Sequence, residues 1–462
     1  MLADPVKIRL GEKPTLRISR DRGEPGWLAG MRALAFAKFK ALPVESSETF
    51  KKYADVGGIG WEKLRIPAEE TDNVLHGPLA EIAGDGGIDL LQINGKTVRL
   101  GNRITGRGVV FEDWKTAMDK HPELAHAALK GVRAEGKFAA LGLALHTGGV
   151  LVHVPDAAKT REPMRVVSIS TRENAISSEL NVVSVGSGGK AAVSFEQYSA
   201  GKGRSVALRF TYAKAGEGAR LAVSEVQALG GNDAAIGGRH AEVRRDAVFS
   251  SSGGHFGGST AISTADATLE GDGAAAEDVC IAFGNGTQRL SITSNLFHAA
   301  ANTVGSVHSK GVFAENSRGQ FKGNIEIAAG AHGSSSYLAG HSILLGSGSS
   351  ADSMPSLKIG NNDVKATHSA SVSHIDGDKL FYLATRGLGR KQAENIAVCG
   401  FLEQLVARAS QPRHRNMLRG FIAAKIAGSG IEHAWKHGET DDERNQAMNA
   451  GSGMFEGHYK YR

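Results

Sequence analysis

The chain has 462 residues, of which 41% are apolar and 22% are charged, and its net charge at pH 7 is +6. This composition excludes a largely disordered chain, and the two cysteines exclude a disulfide framework or a four-thiolate metal site within one chain. The first residues, MLADPVKIRLGEK, lack the apolar segment of a signal peptide, and no segment is apolar enough to span a membrane. We therefore expect a soluble, cytoplasmic protein.

The N-terminal part of the chain carries apolar residues at helical spacing. Residues 24–42 repeat apolar side chains every three to four positions, which predicts one helix. Residues 111–129 predict a helix, a turn and a second helix that opens at Pro122, since proline is favoured at the first helical position. We predict an α-rich N-terminal region over residues 1–135.

The central part predicts many short, paired strands. It is rich in glycine, and no proline occurs between Pro163 and Pro355. Because proline cannot donate to a strand ladder, a long proline-free stretch with short alternating apolar runs indicates many paired strands. Such strands without a strict repeat fit a β-solenoid, with a β-sandwich or jelly roll as the alternative. We place this β body at residues 136–376.

Helical spacing returns after residue 376. Asp376 or Asp378 is a candidate cap for a short helix that ends near Arg386, and longer helices are predicted over residues 390–409 and 413–427. These helices form a predicted C-terminal helical domain over residues 377–430. Residues 431–462 are polar and interrupted by glycine, and we expect a loosely ordered tail there.

Positive charge is concentrated in the C-terminal helical domain. The segment from Arg386 to Lys425 contains eight Lys and Arg residues, and its acidic residues are Glu394 and Glu403. Two interpretations stay open, a solvated helix surface and a docking face for a partner protein. If this domain is separable, deleting residues 386–462 leaves the β body folded.

Short motifs do not indicate an enzyme. The segment Gly186–Lys190 reads GSGGK, but its glycine spacing and Ala191 depart from the phosphate-binding loop, so we predict a turn between strands. The sequence contains no H-E-x-x-H, G-x-S-x-G or C-x-x-C motif. We expect that the chain itself binds no nucleotide and has no catalytic residues.

Two cysteines and a group of histidines are the remaining chemical candidates. We predict that Cys280, on a strand, and Cys399, on a helix, are buried small apolar residues. Four histidines fall within 43 residues, and histidine is the commonest metal ligand, although hydrogen-bonded or exposed histidines are the alternative. These residues are His332, His341, His368 and His374.

A long segment that includes His368 resembles the signature of a known family. Residues 355–405 read PSLKIGNNDVKATHSASVSHIDGDKLFYLATRGLGRKQAENIAVCGFLEQL. The matching positions are His368, Asp376, Leu380, Phe381, Tyr382, Leu383, Arg386 and Gly387. This segment resembles the C-terminal signature of the SufB and SufD proteins of the SUF iron–sulfur cluster assembly machinery. The similarity is equally strong over residues 310–331, moderate over residues 138–310, including residues 138–167, and weak elsewhere, including residues 23–43.

The resemblance implies a fold and a role. The fold is mainly β, a right-handed parallel β-helix flanked by helical N- and C-terminal regions. The role is that of a scaffold subunit that dimerises through the β-helix and binds the ABC-type ATPase SufC with its C-terminal helices. A transient iron–sulfur cluster is then assembled at the interface between paired SufB-like and SufD-like chains.

The resemblance also bears on which subunit this is. SufB-like chains carry cysteine and glutamate where this chain has His341 and Ser369. They carry a further cysteine in the middle of the β-helix, at a position that corresponds approximately to Glu242. SufD-like chains often carry cysteine where Ala366 stands. The chain keeps the shared His368 and lacks the thiolates. This favours a SufD-like subunit, paired with a SufB-like paralogue or with itself.

The same comparison makes His368 the leading candidate for a cluster and metal ligand, with His341 as a second candidate for binding the cluster. Imidazole replaces thiolate at some two-iron clusters, and the remaining ligands would come from the partner chain or a small thiol. A purely structural histidine is the alternative. Two other functions stay open at this point, a polysaccharide-active β-helix enzyme and a structural β-solenoid.

Overall fold

The computed structural model describes residues 14–44, 48–67, 75–101, 108–200 and 203–429. The predicted polar tail over residues 431–462 lies outside the described residues. Within the described ranges, no helix is long and apolar enough to cross a membrane.

Helices are concentrated at the two ends of the described chain. They are α1 (Pro14–Asp21), α2 (Gly26–Ala41), α3 (Glu48–Tyr53), α4 (Pro78–Gly84), α5 (Trp114–Lys120), α6 (Pro122–Lys130), α7 (Lys137–Leu145), α8 (Gly377–Thr385), α9 (Arg390–Val406) and α10 (Pro412–Ala427). Single 3₁₀ turns span Gly57–Ile59 and Trp61–Lys63. The helices predicted at each end are confirmed, and α6 begins at Pro122 as predicted. The predicted cap of α8 is also confirmed, because the Asp376 carboxylate accepts a hydrogen bond from the Asp378 N–H at 3.0 Å.

Strands fill the region between these ends. They are β1 (Leu90–Ile93), β2 (Lys96–Leu100), β3 (Val110–Asp113), β4 (Val150–Val154), β5 (Met164–Ser170), β6 (Ile176–Val185), β7 (Lys190–Ser199), β8 (Val206–Ala215), β9 (Arg220–Ala228), β10 (Ala234–Val243), β11 (Val248–His255), β12 (Thr260–Leu269), β13 (Ala275–Gly284), β14 (Arg289–His298), β15 (Val304–Ala314), β16 (Arg318–Ile327), β17 (Ser335–Leu345), β18 (Ser350–Ile359) and β19 (Lys365–His374).

The strands form a parallel β-solenoid of about eight turns. From β4 onward, even-numbered strands stack into one sheet and odd-numbered strands into the other, and each strand pairs in parallel with the strand two positions later. The predicted solenoid is confirmed, and the sandwich alternative is wrong. One turn advances by 26 residues, from Ala234 to Thr260, and another by 32, from Arg318 to Ser350, which explains why no strict repeat is visible.

The N-terminal region is less purely helical than predicted. Strands β1 and β2 extend the ten-stranded sheet, and β3 extends the nine-stranded sheet through an antiparallel pair with β4. These strands cover the first turn of the solenoid. The helix α7, which lies inside the range predicted for the β body, packs against the outer face of β6 and β8.

Glycine abundance has a packing cause in the last turns. A methyl group added at Gly319 would lie 1.8 Å from the ring of Phe313, and one added at Gly311 would lie 2.7 Å from the ring of Phe321. Aromatic rings therefore fill the interior space that side chains would occupy at these glycines. Substitution there forces overpacking of a close-packed core.

Helices α9 and α10 pack on the outer face of the solenoid. Apolar residues of α9 and α10, including Leu402 and Phe421, form one buried cluster with the outer face of the ten-stranded sheet, including Phe256 and Ile281. Exposing one large apolar side chain lowers the free energy of unfolding by about 1.5–3 kcal/mol. The whole free energy of unfolding of a protein is only about 5–15 kcal/mol. We therefore expect that removing α9 and α10 destabilises the solenoid, contrary to the expectation from the sequence that residues 386–462 are separable.

Charged residues occur inside the solenoid, where the sequence predicted only strands. The side chain of Arg239 donates to Glu225 at 3.0 Å and to Asp278 at 3.1 Å, and Arg209 donates to Glu179 at 2.8 Å. All five residues occupy inward-facing positions on the strands. Buried charges are tolerated when they are paired and hydrogen-bonded, as these are.

A second ion cluster joins α10 to the sheet and to the segment after α4. The buried Arg165 guanidinium donates to both oxygens of Glu196, at 2.5 and 2.8 Å, and also to Asp85. Arg413 of α10 donates to Asp85 at 3.1 Å. Burial alone would raise the pKa of both carboxyl groups, but the Arg165 guanidinium lowers the pKa of each below its usual value.

We expect Arg165→Met to lower the free energy of unfolding by about 3–5 kcal/mol at pH 7, because it removes the guanidinium that pairs with two buried carboxylates and leaves only the partly exposed Arg413 beside them. Chemical denaturation measures this change. The carboxyl pKa values are lowered in the folded state, so the stabilisation is present above about pH 4 and is lost as the pH falls through the lowered values. The difference between the two proteins should therefore shrink in acid. The control is Arg245→Met, which removes an exposed pair with Glu217 and should change stability by less than about 1 kcal/mol.

Candidate functional site

The last turn of the solenoid is open. Strand β18 pairs only with β16, and β19 pairs only with β17, so within the described residues each has one unpaired edge. No residue of either strand is buried, whereas the strands of earlier turns are largely buried. An unpaired strand edge presents backbone N–H and C=O groups that pair readily with another chain.

His368 lies in the middle of β19 on this open turn. It is next to Leu338 of β17 in the strand register, and its neighbour on the same face, Ala366, packs against the interior cluster. His368 therefore occupies an inward-facing position, yet it is exposed because no further turn covers it. In the described part of the chain, its ring has no hydrogen-bond partner. Both ring nitrogens are available to a ligand.

His341 lies on β17 but faces the other side of the sheet. Its Nδ1 is 2.7 Å from the hydroxyl oxygen of Ser371, and its Nε2 is 3.4 Å from that of Ser369. It lines a groove of about 450 Å³ between the outer face of β15, β17 and β19 and the helix α9, which we call the α9 groove. Burial, with the nearby Lys310 ammonium, lowers the pKa of His341, so its imidazole is neutral at pH 7.

The two leading histidines do not share a site within one chain. Because side chains alternate along a strand, His368 and His341 project from opposite faces of the ten-stranded sheet. His374 Nδ1 lies 3.2 Å from the Leu344 carbonyl oxygen, and His332 is exposed in the turn between β16 and β17. Among the described residues, no three His, Cys, Asp or Glu side chains are placed to hold a metal ion together.

The cysteine predictions have opposite outcomes. Cys280 is buried on β13, as predicted, and this burial raises the pKa of its thiol. Cys399 is exposed on α9, so the prediction that it is buried is wrong. The buried face of α9 carries Val398 and Leu402, while Cys399 lies with the exposed Ile396 on the opposite face. Cys399 and Ile396 therefore lie on an exposed face of α9, although their apolar spacing resembles that of a buried face.

The glycine-rich segment predicted as a turn is confirmed as one. Residues 186–189 connect β6 to β7, and Gly188 has a positive φ of 66°. The Asp156 carboxylate accepts from the Ser187 N–H at 2.7 Å. The backbone N–H of this turn is therefore used within the chain.

An exposed apolar surface follows the open turn directly. Helix α8 begins three residues after β19 ends and has no buried residue. Phe381 is 72% exposed and Tyr382 is 56% exposed, and the Arg386 side chain lies over the Tyr382 ring at 5.2 Å. With Ile396 of α9, these residues form what we call the α8 surface. Phe381 and Tyr382 match the family signature in the sequence, but no sequence pattern marks them as exposed.

Much of the positive charge in this region is used within the chain. Arg408 pairs with Glu277, Arg419 with Glu403, and Arg413 with Asp85. The excess of Lys and Arg between residues 386 and 425 is therefore smaller at the surface than in the sequence. Any docking face here depends on apolar contact more than on charge.

Comparisons with known proteins agree with the resemblance seen in the sequence. Residues 168–401, from β5 to α9, match the family model described as SUF system FeS cluster assembly, SufBD core domain. An iron-sulfur cluster assembly SufBD family protein of Staphylococcus epidermidis is 23% identical over 416 residues, which covers 85% of this chain and 88% of the relative. One from Synechocystis is 26% identical over 360 residues, covering 75% of this chain and 73% of that relative.

A third relative carries a subunit name. The iron-sulfur cluster assembly protein SufB of Bacillus subtilis is 22% identical over 405 residues, covering 84% of this chain and 86% of that protein. Its identity is close to that of the relatives named only for the family. Two of the positions that differ from SufB-like chains, Glu242 and Ser369, lie in different parts of the solenoid. Glu242 pairs with Lys214 on the outer face of β10, and Ser369 of β19 contacts His341.

Proposed function

Since the chain belongs to the SufBD family of the SUF iron–sulfur cluster assembly system, we propose that it is a scaffold subunit and not an enzyme. Its cargo is a transient iron–sulfur cluster, held where the open last turn meets a second chain. The observation that carries this proposal is His368, an exposed imidazole without a hydrogen-bond partner among the described residues, on a strand that pairs along one edge only. The cytoplasmic location stays a prediction.

His368 supplies one ligand to the cluster in this proposal. A neutral imidazole nitrogen binds iron and can stand where other centres use thiolate. Because a single histidine does not hold a cluster, the remaining ligands come from the partner chain or a small thiol. His341 and Ser369 stand where SufB-like chains carry cysteine and glutamate, so we assign this chain the SufD-like role beside a SufB-like paralogue. His341 acts on the groove side of the sheet and not as a second ligand to the same iron.

We assign the three predicted regions different tasks. The described residues of the region 1–135 cover the first turn with β1 to β3 and pack α3 against β14 and β16. Residues 136–376 form the body and the dimer edge, and the region 377–430 docks a SufC-like ABC ATPase. The α8 surface supports this last assignment, because exposed aromatic side chains are typical anchors of protein interfaces. The chain binds no nucleotide itself, and ATP belongs to the docked ATPase. Family membership favours this role over the polysaccharide-active and structural alternatives.

We expect lysine at two edge positions to prevent pairing with the second chain. Ala370→Lys with Val372→Lys adds charge to β19, which is how natural proteins block pairing at strand edges. Both residues are exposed, so folding should be unaffected. Sedimentation velocity of the chain, alone and with its SufB-like paralogue, should change from dimer to monomer.

The matched control for the edge substitution is Val304→Lys. Val304 is also an exposed valine, but it lies on β15, which is paired on both sides. This variant should form dimers like the unchanged chain. Dimers of unchanged affinity in the Ala370→Lys, Val372→Lys protein would contradict the assignment of β19 as the dimer edge.

A further inference from the structure

The α9 groove contains a buried cation that lacks an anion of its own. Lys310 of β15 is only 8% exposed, and its Nζ donates to the Phe401 carbonyl at 2.7 Å and to the side-chain oxygen of Gln404. In the described part of the chain, no carboxylate lies within ion-pair distance of Lys310. An ammonium has three N–H donors, so one donor remains after these two contacts.

The other charged groups around the groove are already balanced or neutral. Arg408 donates to Glu277 at 2.7 and 2.9 Å. Burial lowers the pKa of His308 to about 4 and lowers that of His341, so both rings are neutral at pH 7. Among the described residues, the groove therefore holds one positive charge without a carboxylate partner, that of Lys310, whose Nζ also lies 4.5 Å from the centre of the Phe401 ring. A buried, unpaired charge is unfavourable, and an added anion would relieve this cost.

The walls of the groove are largely apolar. Tyr337 and Ala339 come from β17, and Phe401 and Leu405 come from α9. The volume of about 450 Å³ lies within the usual range for small-molecule sites, roughly 300–1,000 Å³. A ligand that fits carries one negative charge and an apolar body. A strongly hydrated dianion such as phosphate would bring a second charge that nothing in the groove balances.

We propose that the α9 groove binds a small organic monocarboxylate, with its carboxylate on the Lys310 ammonium and its apolar body between Tyr337 and Leu405. Ser371 and His341 stand at the mouth of the groove beside the edge strand β19. This binding site is separate from the His368 face, and it does not depend on the chain holding a cluster.

The test uses benzoate as the probe and benzyl alcohol as its uncharged counterpart. Calorimetric titration of the full chain should give benzoate an affinity at least tenfold higher than that of benzyl alcohol or inorganic phosphate. Lys310→Met keeps most of the side-chain volume and should remove this preference. Lys391→Met, a substitution on the exposed surface of the same helix that forms the groove wall, should keep it.

A second variant tests the site without changing a buried residue. Ser371→Glu places a carboxylate at the mouth of the groove, where it neutralises Lys310 and repels benzoate, so benzoate should bind at least tenfold more weakly. Thr367→Glu, on the same strand and face but outside the groove, should bind benzoate as the unchanged chain does. Equal affinities for benzoate and benzyl alcohol, tighter binding of phosphate, or unchanged benzoate binding in Ser371→Glu would overturn the proposal.

Discussion

Cells in which the chain carries His368→Ala should fail to assemble iron–sulfur clusters, while the variant protein stays folded. His368 is exposed and has no hydrogen-bond partner among the described residues, so its removal should change the free energy of unfolding by less than about 0.5 kcal/mol. Complementation of a strain that lacks the chain measures assembly, and thermal unfolding of the purified variant measures stability. A large functional loss without a stability loss separates a ligand from a structural histidine.

Three further variants sharpen this test. His374→Ala removes a neighbouring histidine on the same face of β19 and should leave assembly unchanged. His341→Ala should weaken assembly less than His368→Ala, because its ring faces the α9 groove. His368→Cys should restore part of the activity, since thiolate also binds iron. Assembly at the normal rate in His368→Ala would show that His368 is not a ligand.

We expect Phe381→Glu with Tyr382→Ser to prevent the ABC-type ATPase from binding. Truncating one interface anchor costs about 2 kcal/mol, which weakens binding roughly 30-fold, and a glutamate in an apolar contact weakens it further. Neither side chain is buried, so the solenoid should stay intact by circular dichroism. Co-purification with the ATPase and a titration of the two purified proteins measure the effect.

The control for the α8 surface is an exposed apolar residue far from it. Leu34 of α2 is 75% exposed, and Leu34→Glu should leave ATPase binding unchanged. Point substitutions are preferable to deletion of the C-terminal helices, because Leu402 and Phe421 belong to the buried cluster on the outer face of the ten-stranded sheet. If Phe381→Glu with Tyr382→Ser binds the ATPase as tightly as the unchanged chain, the ATPase docks elsewhere.

The helical ends were predictable from local signals. Asp376 can cap a helix and Pro122 can open one because these effects act within a few residues of sequence. The strands were predictable as a class from short alternating runs between glycines. Their pairing was not, since turns of 26 to 32 residues leave no repeat from which a register can be read.

The site was only half predictable for the same reason. His341 and His368 lie close in sequence, and only the register shows that they face opposite sides of one sheet. The pairing of Arg165 with Glu196 and Asp85 joins distant parts of the chain, and no local pattern marks it. Apolar spacing at Cys399 indicated burial because a sequence does not distinguish a buried helix face from an exposed one.

The most direct measurement is anaerobic affinity purification of the chain from the cells that make it, with iron and acid-labile sulfide determined on the purified complex. We predict that an ABC-type ATPase and a SufB-like chain co-purify with it. We also predict that iron and sulfide are present in similar amounts, and that both are lost in His368→Ala while the protein partners remain. A complex without the ATPase and without iron or sulfide would contradict the scaffold role.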